Sequence, residues 1–283
     1  MQRAGAGWIR VDFNWGALER RPGQYRWAHL DAVVDGARCH GLRVLALPAY
    51  TPSWARARGT SDKYPPTDPA RYAAFVVAAA DHFGPRVAAW ELWNEPDLPQ
   101  FWAPGPNAAA YGRLLRASAA ALRTAHPSAT ILSGGLAPAQ GGDLTFLTSL
   151  LDGGGLGPVD GVAMHPYSYP TGPLDSGTAF NRLTKVHDAL TQRGLGHLKV
   201  WATEMGAPTG RSRISVTDGL QAVSVTDAFA RWSSPEWRGW TGALIWYSWR
   251  DAGTDLSDPE QNFGLVRHSG TPKPALAAYR SAV

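Results

Sequence analysis

The 283-residue chain has a single cysteine, Cys39, so it cannot form a disulfide bond with itself. Cys39 lies in an apolar helical stretch and is predicted to be a small buried residue. Lysine is also scarce, because arginine supplies all but four of the 27 basic residues, and neither type is gathered into a run. Nucleic-acid-binding proteins concentrate basic residues on one face or tail, so the dispersed charge argues against that function.

Long apolar runs and metal-binding spacings are absent as well. No stretch of about 18 apolar residues occurs, so no membrane span is predicted. Residues 1–5 are not a signal peptide, because no apolar segment follows them. The eight histidines show no H-x-H or H-E-x-x-H spacing, so neither a metal site nor a cofactor is predicted. No glycine-rich phosphate loop follows a predicted strand, which disfavours a nucleotide-binding sheet.

The composition, at 44% hydrophobic and 18% charged residues, is typical of a globular protein. Tryptophan is abundant, with 13 residues. Some of these rings must belong to the core. Others suit a sugar-binding cleft, where a flat aromatic face meets the C–H face of a pyranose ring.

Short apolar strands alternate with helices along the chain. This rhythm requires parallel strands with helical crossovers, arranged as a closed barrel or as an open doubly wound sheet. Polar and aromatic residues collect after the strands, where barrel active sites lie, so we predict one TIM-type (β/α)8 barrel domain over residues 1–283. Only seven strands are found, and we expect the first β-strand and most of the first helix to be absent from this chain. Strands are predicted at 8–13, 44–48, 87–96, 130–134, 159–167, 200–204 and 242–247, and helices at 28–40, 69–82, 108–126, 143–151, 178–193, 217–232 and 274–282.

Two of the predicted strands end in a glutamate, Glu95 and Glu204. An ionised carboxylate is costly to bury without a partner, so these positions are unusual for packing residues. Together they provide the carboxylate pair that glycoside hydrolysis requires. Asn94, next to Glu95, is suited to binding the sugar hydroxyl beside the anomeric carbon. Taken singly, each glutamate is equally well explained by a salt bridge or a helix cap.

Candidate supporting residues lie on two other strands. His165 and Tyr167 close one strand and could hydrogen-bond a catalytic carboxylate, which would lower its pKa, although a structural His-Pro turn is the alternative. Arg10 shares a strand face with Asp12 by alternation. A buried arginine needs an anion, which is either Glu204 or the neighbouring Asp12.

Several aromatic residues follow the strands and are candidates for substrate contact. Trp246 is predicted to be a sugar platform, and Trp249 flanks the same strand end. Loop tryptophans are less often core residues than strand tryptophans are. The remaining loop candidates are Tyr50, Trp54 and Trp102, whereas Trp8, Trp90 and Trp201 are expected to be packing residues.

The motifs at 90–96 (WELWNEP), 165–167 (HPY), 201–206 (WATEMG) and 246–247 (WY) resemble those of the clan A retaining glycoside hydrolases. The resemblance is strongest to glycoside hydrolase family 39, with family 5 next. It covers nearly the whole chain in order, since supporting stretches occur at 8–13, 50–55, 262–265 and 272–275.

The resemblance implies a retaining hydrolase of an oligo- or polysaccharide, located outside the cell. A transglycosylase would use the same residues, and a non-catalytic carbohydrate-binding barrel is the rival interpretation. The implied roles are Glu95 as acid/base, Glu204 as nucleophile, Asn94 as a sugar ligand, Arg10, His165 and Tyr167 as support for Glu204, and Trp246 as the floor of the −1 subsite.

Overall fold

The structure is a computed structural model that describes residues 1–137 and 142–283. The chain comprises two compact units, one formed by Gly7–Ala163 and the other by Met1–Ala6 together with Met164–Val283. The assignment of one domain to the whole chain stays a prediction. Within the described ranges, no helix combines the length and the apolar character needed to cross a membrane.

The unit Gly7–Ala163 alternates strands with helices, as the sequence predicts. Its strands are hydrogen-bonded in chain order, and the paired strands run parallel. The fifth strand ends at the boundary of the unit. Its elements are β1 (Trp8–Asn14), α1 (Trp15–Leu18), α2 (Ala28–Cys39), β2 (Arg43–Ala49), α3 (Pro69–Phe83), a 3-10 helix (Gly84–Arg86), β3 (Ala89–Asn94), α4 (Ala108–Ala125), β4 (Thr130–Gly135), α5 (Gly142–Asp152) and β5 (Gly161–Met164).

The second unit continues the alternation. In it, β6 pairs in parallel with β7. A short 3-10 helix at Gln2–Ala4 belongs to this unit, and another occurs at Pro259–Gln261. The remaining elements are α6 (Leu183–Thr191), β6 (Lys199–Met205), α7 (Asp218–Trp232), β7 (Thr241–Trp246) and α8 (Pro274–Ala282).

Side-chain caps set the starts of three long helices. The Asp68 carboxylate accepts a hydrogen bond from Ala70 N at the start of α3, where Pro69 fills the first helical position. Asn107 caps α4 in the same way, and Thr217 caps α7. Because these caps are short-range sequence signals, the predicted starts of these helices are confirmed to within one residue.

Three predictions about local structure are wrong. Cys39 is exposed, because it lies about 200° around α2 from the buried Ala37 and so faces away from the core. The strand predicted at 159–167 is confined to Gly161–Met164, and the helix predicted at 178–193 is confined to Leu183–Thr191. Separately, Trp102, one of the loop aromatics considered for substrate contact, is a core residue at 2% exposure.

Candidate active site

The end of β3 carries Asn94 and the adjoining Glu95 on a distorted backbone. Trp93 and Glu95 have φ angles of 83° and 42°, a left-handed conformation that side chains other than glycine rarely adopt. Such strain is typical of functional sites. On β4, a Cβ at Gly134 would lie 2.5 Å from the carbonyl oxygen of Trp93, so only glycine permits this approach. Glu95 N donates to the Gly135 carbonyl at 3.0 Å, which fixes the glutamate beside β4.

A buried tyrosine, Tyr111, forms hydrogen bonds to both β3 and β4. The Tyr111 hydroxyl donates to the Leu92 carbonyl at 3.0 Å and accepts from Gly134 N at 2.6 Å. Burial raises the pKa of Tyr111, and it also raises the pKa of Tyr72, whose hydroxyl donates to the Pro48 carbonyl at 2.7 Å. Both phenols therefore stay neutral and donate hydrogen bonds to backbone carbonyls of β2 and β3.

Arg10 on β1 is paired with Glu91 on β3. Its Nε and one terminal nitrogen each lie 2.9 Å from a different oxygen of the Glu91 carboxylate. The Glu91 side chain is fully buried, and that of Arg10 is 11% exposed. Gly135 N also donates to Glu91 at 2.9 Å. Glu91 is not among the residues predicted from the sequence, because its apolar neighbours indicate a packing position. A charged residue within a buried strand is nevertheless a signal of an ion pair.

The same arginine orients Asn94. The Arg10 guanidinium donates to the Asn94 side-chain oxygen at 2.7 Å. This bond orients the side-chain amide, whose NH2 group is its hydrogen-bond donor. The predicted role of Asn94 as a sugar ligand stays a prediction. The predicted role of Arg10 as a support for Glu204 stays a prediction.

Tyr50 follows β2 and also has a left-handed backbone, with a φ angle of 70°. Its ring packs edge-on against Trp93, with centroids 6.1 Å apart, and Lys63 Nζ lies 3.0 Å from the Tyr50 ring centroid. Burial lowers the pKa of Lys63. Trp54 packs edge-on against Trp15, and its indole nitrogen donates to a backbone carbonyl at 2.7 Å. Trp54 is thus engaged in packing, whereas Tyr50 adjoins the strained strand end.

In the second unit, Glu204 on β6 is held by two residues that follow β5. The Tyr167 hydroxyl donates to Glu204 Oε2 at 2.7 Å, and His165 Nδ1 lies 3.7 Å from the same oxygen. The His165 side chain is fully buried, and that of Glu204 is 16% exposed. The structure thus contains a hydrogen bond from Tyr167 to Glu204, and His165 lies near the same oxygen. The predicted role of both residues as supports for a catalytic carboxylate stays a prediction.

Aromatic rings surround Tyr167. Phe263, Tyr169 and Tyr247 pack against it with centroid distances of 5.8, 5.7 and 6.3 Å. Trp246, the predicted platform, is 7% exposed, and Trp249 is half-buried. Tyr247, which directly follows β7, packs against Tyr167. It belongs to one of the sequence motifs above but is not among the predicted site residues. Neighbouring residues on a strand point to opposite faces, but the sequence alone does not say which of Trp246 and Tyr247 faces Tyr167. The role of Trp246 as a sugar platform stays a prediction.

Comparison with known proteins connects these features to glycosidases. No protein-family model matches the chain. The β-xylosidase of Geobacillus stearothermophilus is 24% identical over an alignment that covers 90% of this chain and 55% of that protein. A family 39 glycoside hydrolase from Bacteroides cellulosilyticus WH2 superposes with a TM-score of 0.80 and 27% identity, over 99% of this chain and 59% of the other.

A second solved structure, a monomeric β-xylosidase from Caulobacter crescentus CB15, gives a TM-score of 0.74 at 21% identity, over 98% of this chain and 61% of that one. The chain thus spans less than two thirds of the length of these relatives. The resemblance to clan A and to family 39 is confirmed by these neighbours. The fold is that of a TIM-type (β/α) barrel, of which the described residues form seven strands.

Proposed function

We propose that this chain is a retaining glycoside hydrolase that cleaves an oligo- or polysaccharide, with Glu204 as nucleophile and Glu95 as acid/base. The observation that carries the proposal is the hydrogen bond of 2.7 Å from Tyr167 to Glu204. A carboxylate that accepts a hydrogen bond and keeps one face partly open is prepared to attack a bound sugar. The similarity to family 39 enzymes over 99% of the chain supports the same assignment.

Glu95 has the features expected of the acid/base. It is a buried carboxylate on a left-handed backbone, directly after the asparagine that Arg10 orients. In (β/α) barrels, catalytic residues come from the C-terminal ends of several strands, and both glutamates occupy such positions. The proposal requires the two carboxyl groups to lie about 5–5.5 Å apart, the separation of retaining enzymes.

The reaction proceeds in two displacements. In the first, a Glu204 oxygen bonds to the anomeric carbon while the bond to the leaving oxygen breaks, and that oxygen takes the proton of Glu95. In the second, Glu95 accepts a proton from water as the water oxygen bonds to the anomeric carbon. The ester bond between the anomeric carbon and Glu204 breaks in the same step, which restores the Glu204 carboxylate. The NH2 group of Asn94 is expected to bind the neighbouring sugar hydroxyl, a contact that strengthens in the transition state.

The nucleophile can be tested by trapping. Incubation with a panel of 2-deoxy-2-fluoro glycosyl fluorides, followed by intact mass spectrometry, should give a covalent adduct that maps to the peptide containing Glu204. Glu204→Gln should give none. β-Xylosyl reagents come first in the panel because two of the similar proteins are named β-xylosidases. A folded protein that reacts with no sugar, yet binds one, would favour the carbohydrate-binding interpretation.

The acid/base is tested with Glu95→Gln. Substrates with good leaving groups need no proton, so this variant should form the covalent intermediate on activated aryl glycosides but resolve it slowly. Added azide, which needs no base, should accelerate that step and give a glycosyl azide of retained configuration. Glu236→Gln, an exposed glutamate paired with Arg231, is the matched control and should behave as the parent protein does. Full activity of Glu95→Gln on unactivated glycans would refute the assignment.

Two further questions belong to the same proposal. The carboxylates that hydrolyse a glycoside also transfer the glycosyl group to a sugar acceptor, so product analysis with and without added acceptor separates hydrolysis from transglycosylation. An extracellular location is proposed along with the polysaccharide substrate, and fractionation of the producing cells tests it.

A further inference from the structure

A buried lysine lies behind the aromatic residues that surround Tyr167. Lys273, the residue before α8, is fully buried, and its Nζ donates to Asp251 Oδ1 at 2.7 Å and to Thr209 Oγ1 at 2.9 Å. It also donates to the backbone carbonyl of Asn262 at 2.9 Å. All three ammonium hydrogens are therefore used. Lys273, Asp251, Thr209 and the Asn262 carbonyl are called the Lys273 cluster below.

The Lys273 cluster holds the chain on both sides of Phe263. Lys273 fixes the carbonyl of the residue before it, and Asp251 Oδ1 accepts from Gly264 N, the residue after it, at 2.8 Å. A second buried side chain, Gln221 on α7, donates from Nε2 to the carbonyl of Phe263 itself at 3.3 Å. Phe263 is 2% exposed, so its ring is enclosed by other protein atoms.

Phe263 in turn packs against the residues that hold Glu204. Its ring meets the Tyr167 and Tyr247 rings edge-on, at centroid distances of 5.8 and 5.1 Å. It also approaches Gly206, where a Cβ would lie 3.0 Å from Phe263 Cδ1, just beyond the end of β6. A displacement of Phe263 would therefore move the Tyr167 ring, and with it the hydroxyl that donates to Glu204.

We propose that Lys273 is a positioning residue for Glu204, acting through the ring of Phe263. The inference rests on the glycosidase function proposed above. A buried ion pair is a poor source of stability, since an apolar pair of similar volume is often as stable or more so. The geometry of the Lys273 cluster gives it another use: three directed hydrogen bonds fix the chain around Phe263 in a way that apolar packing would not.

The test separates positioning from stability by replacing both charges. The double variant Asp251→Leu/Lys273→Met removes the ion pair without leaving an unpaired buried charge, so its melting temperature should fall less than that of Lys273→Met alone, which leaves the Asp251 carboxylate buried without its cation. Its kcat should fall about 10- to 100-fold with KM within about threefold, because a misplacement of about 1 Å at a catalytic group can cost 10²-fold. Arg231→Gln/Glu236→Gln, which removes an exposed ion pair of the same unit, is the control and should change neither value.

A structural measurement accompanies the kinetics. In crystals of the double variant without substrate, the distance from the Tyr167 hydroxyl to Glu204 Oε2 should lengthen beyond 3.5 Å. A stable double variant with parental kcat and an unchanged distance would overturn the proposal. If the double variant does not fold, Phe263→Leu, which leaves the Lys273 cluster intact, decides: the same loss of kcat supports the proposal, and parental kcat refutes it.

Different results would contradict the proposed glycosidase function and the positioning role of Lys273. A parent protein that hydrolyses and transfers no glycoside contradicts the proposed function, and the distance between Tyr167 and Glu204 in the variant crystals then tests the positioning alone. An active parent protein with an unaffected double variant contradicts only the role of Lys273.

Discussion

The Tyr167 hydroxyl donates to Glu204 Oε2 across 2.7 Å, and His165 Nδ1 approaches the same oxygen at 3.7 Å. Both contacts fall on Oε2, so the two residues act on the same side of the carboxylate.

Removing the Tyr167 hydroxyl should slow the reaction without unfolding the protein. A hydrogen bond to a charged group contributes about 1.5–3 kcal/mol, so Tyr167→Phe is expected to lower kcat/KM by about 10- to 100-fold. The ring remains, so its packing against Phe263 and the melting temperature should change little. Steady-state kinetics and thermal unfolding of the same preparation check both statements. An unchanged kcat/KM would remove Tyr167 from the catalytic site.

Arg10 and Glu91 form a buried ion pair, and we expect the loss of Arg10 alone to cost more stability than the loss of both residues. Arg10→Met leaves the Glu91 carboxylate buried and uncompensated, and we expect it to lower the free energy of unfolding by about 3–5 kcal/mol. The double variant Arg10→Met/Glu91→Leu should recover most of that loss. It should not recover activity, because Asn94 has lost the donor that orients it. Urea unfolding and kinetics of the three proteins test this, and a fully active double variant would contradict it.

Gly134 should not tolerate alanine. The added Cβ would lie 2.5 Å from the Trp93 carbonyl oxygen, so Gly134→Ala must displace β3 next to Asn94. We expect a loss of about 1–3 kcal/mol in stability, the range for overpacked cores, together with reduced activity. Gly36→Ala is the control, because it lies in the middle of α2 with no atom near the new Cβ, and it should stabilise the protein by about 0.5–1 kcal/mol. Equal stabilities of the two variants would contradict the packing argument.

Alkaline pH should destabilise the protein through its buried tyrosines. Burial raises the pKa of Tyr72 and Tyr111 above the ordinary value of 10.0. The unfolded chain therefore loses these protons first, and the stability present below pH 10.0 is lost as pH rises above it, by up to about 1.4 kcal/mol per pH unit for each group. Lys273 acts in the opposite direction, because burial lowers its pKa below 10.5. The folded chain therefore loses this proton before the unfolded chain does, and this group adds stability as the pH rises toward 10.5.

Urea unfolding between pH 8 and pH 11 measures this dependence. Tyr72→Phe removes one ionisable phenol, so the free energy of unfolding should fall less steeply with pH, by the contribution of one proton. A variant at an exposed site should leave this slope unchanged. An alkaline slope that is the same in Tyr72→Phe and in the parent protein would show that Tyr72 ionises equally in both states.

Local signals account for the parts of the fold that were predicted well. The last helix was predicted at 274–282 and is observed at Pro274–Ala282, because a proline at the first helical position marks its start. The pairing of Arg10 with Glu91 could not be predicted in the same way. It joins positions 81 residues apart, and the choice among Glu91, Asp12 and Glu204 depends on how the strands are placed in three dimensions.

The aromatic surroundings of Glu204 were predicted only in part. His165 and Tyr167 were selected because they close a strand, and strand ends are where barrel sites form. Phe263 lies in a loop with no periodic pattern, so its contact with Tyr167 depends on the Lys273 cluster rather than on any property of its own segment. The choice between Trp246 and Tyr247 required the observed register of β7.

The approach of Gly134 to Trp93 has a consequence for directed evolution of this protein. The atom that excludes a larger residue at position 134 is a backbone oxygen, which every amino acid at position 93 would supply. A library that randomises both positions together should therefore return glycine at 134 whatever it returns at 93. A substitution at position 93 cannot compensate for one at position 134.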